Sequence, residues 1–372
     1  VRLVRGLRPN SVLLVTNRHR QLSDNLRAIE QALAADSTFE VRQCLLNTRP
    51  RPRLVRLVEE WRLIATMAWT EYTVIDDYLS AVYSIRLRPG AHLVQVWHGA
   101  GAFKRVGFSR RRRTGGPAPT SLAHRNYTAV AVSGTTVREN YAEAFGVSLD
   151  RVYATGTPRT DRFFDRDQQA QLRAELYAKL PFLVDRRVII FAPTFRGKGK
   201  ASAHYPADFL DLAALGASLS PDDVVLIKMH PFVKQTPTIP AQYSTQIFDV
   251  SEIPELTDLL LVCDLLITDY SSVIFDYALL ERPILFYVPD LAAYKSGRGL
   301  YYDFDDYAYG PVVADFASLV AALDSVEVDQ AKVRQFRERF LDRCDGQATR
   351  RFIETILTPG SPSIQQESGV AT

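Results

Sequence analysis

The sequence predicts an α/β protein built on parallel sheets, and three observations lead there. Short aliphatic or β-branched runs alternate with amphipathic segments along most of the 372 residues. That alternation is the pattern of strand-helix-strand units, whose sheets are covered on both faces. The chain is too long for one comfortable core and fits two domains of Rossmann size. Apolar residues make up 47% and charged residues 23%, which supplies a sizeable core and excludes disorder or a fibrous repeat for all but the ends.

Residues 11–16 read as the first strand, because this short apolar run leads directly into a helical pattern without a small-residue cleavage site; no signal peptide is expected. The helix expected over 23–34 repeats Leu22, Leu26, Ile29 and Leu33 at helical spacing, with Ser23 or Asp24 to cap it. Further strands are expected at 73–76, 93–97, 128–133, 188–192, 224–229, 265–268 and 284–288. A polar helical stretch over 165–181 precedes a fresh strand and marks a domain junction. The most apolar run, 259–267, is broken by Asp264 and too short to span a bilayer. Cys44, Cys263 and Cys344 are odd in number and widely spaced, so neither disulfides nor a zinc site is expected, and a reducing, cytoplasmic compartment is. Residues after 357 carry no apolar periodicity and read as a disordered tail.

Charge divides unevenly. Residues 1–180 hold 28 Lys and Arg against 16 Asp and Glu, a balance of +12, whereas the remainder holds 17 against 26, a balance of −9. The basic residues cluster at Arg2, Arg5 and Arg8; at Arg49, Arg51, Arg53 and Arg56; and at Lys104, Arg105, Arg110, Arg111, Arg112 and Arg113. Such clusters attract anionic lipid, nucleic acid or polyphosphate. Each alone is also an ordinary solvated face.

Ligands of parallel sheets bind beyond the carboxyl ends of the strands, where four segments stand out. In VWHGAGAFKRVG, His98 follows a strand and precedes glycines that allow close backbone approach, which suits a general base. In VIIFAPTFRGKGK, Pro193 and Thr194 end a strand, and Arg196, Lys198 and Lys200 follow on a loop able to close over phosphate or to stay a mobile surface loop. In VVLIKMHPF, Lys228 and His230 alternate towards one side, a point charge and a hydrogen-bond donor for a diphosphate. In LLITDYSSVIFDYALLERP, Ser271 and Ser272 open a helix, a place for phosphate, and Asp276 one turn on suits a polyol or ribose hydroxyl. The acid pairs Asp76–Asp77, Asp222–Asp223 and Asp305–Asp306 lack metal-ligand spacing, so no metal and no other cofactor is expected. Neither a P-loop nor a Gly-x-Ser-x-Gly elbow is present.

Taken in order, SDNLRAIEQAL, VWHGAGAFKRVG, TGTPRTDRFF, FAPTFRGK, IKMHP, DLLLVCDLLITDYSSVIFDYALLERPILFY and DGQATRRFIE make the chain resemble the CDP-glycerol glycerophosphotransferases of teichoic acid and capsule synthesis. The resemblance implies a GT-B-like architecture, two Rossmann-like domains facing across a cleft, with the C-terminal helix packing back on the first domain. It implies an acceptor- and membrane-facing domain at 1–172, a CDP-polyol domain at 173–345, a crossover helix at 346–357 and a tail at 358–372. It further implies transfer of glycerol phosphate from CDP-glycerol, or ribitol phosphate from CDP-ribitol, to a lipid-linked saccharide or anionic polymer at the inner membrane face, with release of CMP. No nucleic-acid partner is expected. His98 and His230 fall on the family's histidines, and Arg159, Pro193, Thr194, Lys228, Ser271, Ser272 and Asp276 on its donor contacts. The Ala100-Gly101-Ala102 stretch departs from the polymerase pattern towards that of primases, and Lys228 stands where many members have Arg. A GT-B glycosyltransferase and a non-catalytic polymer-binding scaffold are the rival readings.

Overall fold

The computed structural model describes residues 6–17, 21–46, 52–110, 116–118, 120–197 and 199–358, and it divides into two α/β units. The first runs to Phe164 and resumes at Arg339; the second is Asp165–Glu338. The sequence reading sets these divisions at 172/173 and 345/346. The difference at the first arises because the helix over 166–179 is capped by Asp165, whose Oδ1 accepts the Gln168 N–H at 3.0 Å.

The first unit runs β1 (Arg8–Thr16), α1 (Asp24–Ala34), β2 (Glu40–Leu45), α2 (Arg53–Met67), β3 (Thr70–Ile75), β4 (His92–Gln95), β5 (Ala129–Val132), α3 (Arg138–Phe145) and β6 (Val152–Ala154). Its strands form one parallel sheet in the order β2-β1-β3-β4-β5-β6. On one face Leu26, Ile29 and Leu33 of α1 pack on Val12, Leu14, Val74 and Val94, all essentially buried. Each such side chain contributes about 1.5–3 kcal/mol, and Leu26→Ala is expected to cost about 2–5 kcal/mol. The expected Ser23 cap is absent, since its hydroxyl makes no capping bond. Asp24 instead pairs with Arg27 at 3.5 Å and Arg162 at 3.3 Å.

The second unit runs α4 (Arg166–Lys179), β7 (Arg187–Ala192), α5 (Leu212–Ser218), β8 (Asp223–Ile227), β9 (Ile247–Asp249), α6 (Leu256–Leu260), β10 (Leu265–Thr268), α7 (Val273–Ala278), β11 (Ile284–Tyr287), α8 (Leu291–Arg298), β12 (Val312–Val313) and α9 (Phe316–Ala322). Its parallel sheet has the order β12-β11-β10-β7-β8-β9. Ile189, Phe191, Val225, Ile227 and Ile267 pack there beneath Leu212 and Leu215 of α5 and Leu319 of α9. The strand order reverses between β1 and β3 in the first sheet and between β7 and β10 in the second, so each unit has a switch point at its strand ends.

The chain returns to the first unit through α10 (Gln330–Phe340), then α11 (Ala348–Phe352), which widens into a π turn over Ile353–Leu357. Asp161 caps α11, accepting the N–H groups of Ala348 at 2.9 Å and Thr349 at 2.7 Å. Phe352, Ile356 and Leu357 join the core formed by α1 and β1, so the C-terminal helix packs back on the first domain.

Candidate active site

In the first unit β4 ends at Gln95, short of the expected 97, because the chain turns at Trp97. Trp97 has φ +48°, a left-handed conformation that costs a bulky residue about 1–3 kcal/mol. Local bonds hold it. Gln95 Oε1 accepts the Trp97 N–H at 2.7 Å, and Asn25 Nδ2 donates to the Trp97 carbonyl at 2.8 Å. Asn25 Oδ1 accepts the Arg159 N–H at 3.0 Å, and Arg159 Nη1 donates to the His98 carbonyl at 3.1 Å. One asparagine of α1 thus ties the turn before His98 to the segment bearing Arg159.

The His98 imidazole is exposed, and its Nδ1 lies 3.6 Å from Asp77 Oδ1, just past β3. A carboxylate there favours a proton on Nδ1 and makes Nε2 the basic nitrogen. Beneath, Tyr127 Oη accepts from Gln95 Nε2 at 2.9 Å and meets Tyr83 Oη at 2.6 Å and His124 Nδ1 at 3.2 Å. Burial pushes the His124 pKa down to about 4 and the Tyr83 phenol up to about 12, so both stay neutral. These groups hold Gln95, and Gln95 holds Trp97.

Sequence reasoning assigned Arg159 to the donor. The structure places it in the first unit, 7% exposed, on the main chain of His98. Lys104, Arg105 and Arg110 follow His98 and are half-buried rather than solvated. Arg111, Arg112 and Arg113 lie outside the described residues, as do Arg2, Arg5, Arg49, Arg51, Lys198 and the tail from 359.

In the second unit the adjacent ends of β7 and β10 deliver Thr194 and Asp269 to the switch point. Asp269 Oδ1 accepts the N–H groups of Thr194 at 2.7 Å and Tyr270 at 2.6 Å. Pro193 is buried, and the buried Thr194 hydroxyl has no hydrogen-bond partner. Arg196 does not ride on a mobile loop. Its guanidinium binds Asp290 through Nε at 2.6 Å and Nη2 at 2.8 Å, and Asp269 through Nη1 at 2.9 Å. Tyr205, Phe209, Tyr270 and Tyr294 surround it at 5.1–5.9 Å from their ring centroids. Burial opposes its charge, but the bonds to Asp290 and the attraction of Asp269 outweigh that and raise its pKa. Arg196 and His204 also exchange backbone hydrogen bonds, which pins both ends of the 196–204 loop.

Lys228 was expected to meet a diphosphate as a point charge. Its buried ammonium donates to the carbonyls of Ser251 at 2.8 Å and Ile253 at 2.5 Å, which leaves one donor for that role, and burial lowers its pKa. Two of its three donors hold the 251–253 turn. His230 lies two residues on, with Nδ1 accepting the Phe232 N–H at 3.1 Å and its ring against Phe195 and Phe232. That bond leaves the proton of the neutral ring on Nε2, a hydrogen-bond donor. Ser271 and Ser272 precede α7 but cap it poorly: Ser271 Oγ accepts the Val273 N–H at 3.4 Å, and Ser272 makes no side-chain cap. Asp276, expected at a polyol hydroxyl, is only 4% exposed on α7.

Beside these strand ends lies a cavity of about 790 Å³, lined by Tyr205, Asp208, Asp211, Met229, Gln235 and Thr236. Its size suits a nucleoside-sized ligand. Sequence reasoning missed it because its walls come from loops over 205–213 and 233–240 that carry no local motif. Among the described residues no group of three His, Cys, Asp or Glu side chains is gathered to hold a metal, and no helix is long and apolar enough to cross a membrane.

Two parallel α/β units of Rossmann type define a GT-B-like protein. The chain belongs to the CDP-glycerol:poly(glycerophosphate) glycerophosphotransferase family, whose profile matches residues 1–358. It is 39% identical over 355 residues to the teichoic acid poly(ribitol-phosphate) polymerase of Bacillus spizizenii, covering 95% of this chain but only 57% of that polymerase. It is 32% identical over 366 residues to the teichoic acid ribitol-phosphate primase of the same organism, covering 95% of this chain and 92% of the primase. A solved structure of the wall teichoic acid polymerase TagF superposes with a TM-score of 0.78 at 23% identity, covering 94% of this chain and 89% of that one. The same TagF variant has been solved after a soak with CDPG.

Proposed function

We propose that this chain transfers a polyol phosphate from a cytidine diphosphate alcohol to a hydroxyl of an anionic polymer or lipid-linked saccharide, releasing CMP. The observation that carries this reading is a pair of strand-end histidines, one per unit, held in opposite tautomers: Asp77 faces Nδ1 of His98, whereas a backbone N–H donates to Nδ1 of His230. His98 Nε2 is then a base, and His230 Nε2–H is a donor.

In this reading His98 Nε2 takes the proton of the acceptor hydroxyl as its oxygen attacks the polyol-bearing phosphorus. The bond from that phosphorus to the bridging oxygen breaks, its electron pair departs with CMP, and His230 Nε2–H stabilises the oxygen on which charge grows. Cytidine is assigned to the cavity beside Met229, and the diphosphate to Thr194, Ser271, Ser272 and the remaining donor of Lys228. Lys104, Arg105 and the run Arg110 to Arg113 attract the anionic acceptor.

Ribitol phosphate is the favoured group, supported by the ribitol-phosphate descriptions of both relatives. Glycerol phosphate is the second reading, favoured by the family's own description. The test is CMP release from CDP-ribitol and CDP-glycerol with a synthetic lipid-linked acceptor, the product weighed by mass spectrometry. Faster turnover of CDP-ribitol with a mass gain of whole ribitol-phosphate units is expected; UDP release from a UDP-sugar instead would overturn the reading.

A further inference from the structure

His98 sits on a turn that is anchored at both ends. On its N-terminal side Asn25 and Arg159 hold the carbonyls of Trp97 and His98. On its C-terminal side the anchor is Gly101, whose φ of +64° suits glycine and strains other residues. The Gly101 N–H donates to Ser133 Oγ at 2.9 Å, and its carbonyl accepts from Tyr141 Oη at 2.9 Å. Both partners are buried, Ser133 after β5 and Tyr141 on α3. Glycine at 99 and 101 gives this backbone more freedom than a catalytic base tolerates, and the clamp on Gly101 removes it.

Ser133 has a second attachment. Having accepted from Gly101, its hydroxyl donates to the carbonyl of Phe340, the last residue of α10, at 2.8 Å. Its own carbonyl accepts the Arg343 N–H at 3.3 Å. The approach is close: a methyl group at Gly134 would lie 2.3 Å from Asp342 Oδ1 and 3.0 Å from the Phe340 carbonyl oxygen. One hydroxyl, with one bond accepted and one donated, therefore joins the His98 turn to the segment that returns the chain to the first unit. A second clasp lies alongside. Asp342 accepts the Thr135 N–H at 2.7 Å and the Thr135 hydroxyl at 2.7 Å, which holds the same returning segment through bonds that do not involve Gly101. Packing alone would be served by alanine at 133 and phenylalanine at 141, so the two hydroxyls are what the turn uses.

We propose that Ser133 and Tyr141 are positioning residues for the transfer reaction. By fixing Gly101 through both its N–H and its carbonyl, they hold the backbone of His98, and with it the imidazole, where the acceptor hydroxyl is deprotonated. This inference rests on the transferase reading above. A reacting group displaced by about 1 Å loses about 10²-fold in rate, so a clamp three residues from His98 is near enough to matter.

The experiment is steady-state CMP release from CDP-ribitol and CDP-glycerol by the parent chain, Ser133→Ala, Tyr141→Phe and Thr135→Val, with a melting temperature for each. Ser133→Ala and Tyr141→Phe are expected to lower kcat by about 10–100-fold and to change the donor KM by less than about twofold. Thr135→Val loosens the same returning segment and should keep the parent kcat. A purely structural role would instead lower the activity of Ser133→Ala and Thr135→Val alike, in step with the loss of folded protein, and that result overturns the proposal. So does parent kcat in folded Ser133→Ala. Where Ser133→Ala fails to fold, Tyr141→Phe decides, and parent kcat in that variant overturns the proposal. A parent chain that releases no CMP from either donor overturns the transferase reading and this inference with it, whereas an active parent with indifferent variants overturns the inference alone.

Discussion

Asp77 Oδ1 stands 3.6 Å from His98 Nδ1, two residues beyond the end of a strand adjacent to the one that leads to His98. In the proposed reaction the carboxylate orients the imidazole and stabilises it when it accepts a proton, which would make Asp77 a positioning residue. Asp77→Asn is expected to lower kcat by about 10–100-fold while leaving the donor KM nearly unchanged, and Asp77→Glu to recover part of the loss. Steady-state CMP release checks both. A proportionate rise in KM with kcat intact would assign Asp77 to donor binding instead.

Asn25 links the Trp97 carbonyl to the Arg159 amide, and Arg159 in turn holds the His98 carbonyl. Asn25→Ala removes both side-chain bonds at once and frees a turn that contains a left-handed tryptophan. A loss of about 1–3 kcal/mol in stability is expected from two buried polar groups left unpaired. Activity should fall further than that loss of folded protein explains, as urea titration and kcat on the same preparation will show.

His124 makes a signed prediction for pH. Burial depresses its pKa from 6.5 to about 4, so between these values the unfolded chain binds a proton that the folded one refuses. Its contribution is complete above pH 6.5 and is lost as pH falls through that window, amounting to about 3 kcal/mol. His124 has φ +61°, which asparagine tolerates, so His124→Asn is the appropriate variant. Its unfolding free energy should vary less steeply with pH from 6.5 to 4 than that of the parent chain.

Arg196 joins Asp269 and Asp290 inside an aromatic cage in the second unit. Arg196→Ala leaves two carboxylates facing each other without a cation and is expected to cost about 3–5 kcal/mol. Arg196→Lys keeps the charge but not the bidentate geometry and should recover only part. Denaturant unfolding followed on the second unit's tyrosines distinguishes this from a donor contact, which would leave stability unaltered.

All eight strands expected from the sequence are present, because interior strands of parallel sheets are continuous apolar runs. The four that were missed, β2, β6, β9 and β12, are the four sheet edges. Three of them have two or three residues, and β2 exposes much of its length, so none leaves an apolar run to read. The histidines were legible because glycine and proline punctuate the strand ends around them. Asp77 was not, since its relation to His98 exists only once β3 and β4 pair. For Arg196 and Lys228 residue type and position were visible, but the carboxylates and carbonyls that engage them lie 23 to 94 residues away in the chain.

The measurement that bears most directly on the account is single-turnover CMP release from CDP-ribitol by the parent chain and by His98→Asn, with donor affinity measured on both. Donor affinity is expected to be kept while the rate falls by about 10²–10⁴-fold, the share a positioned base supplies. A variant that releases CMP at the parent rate would contradict it.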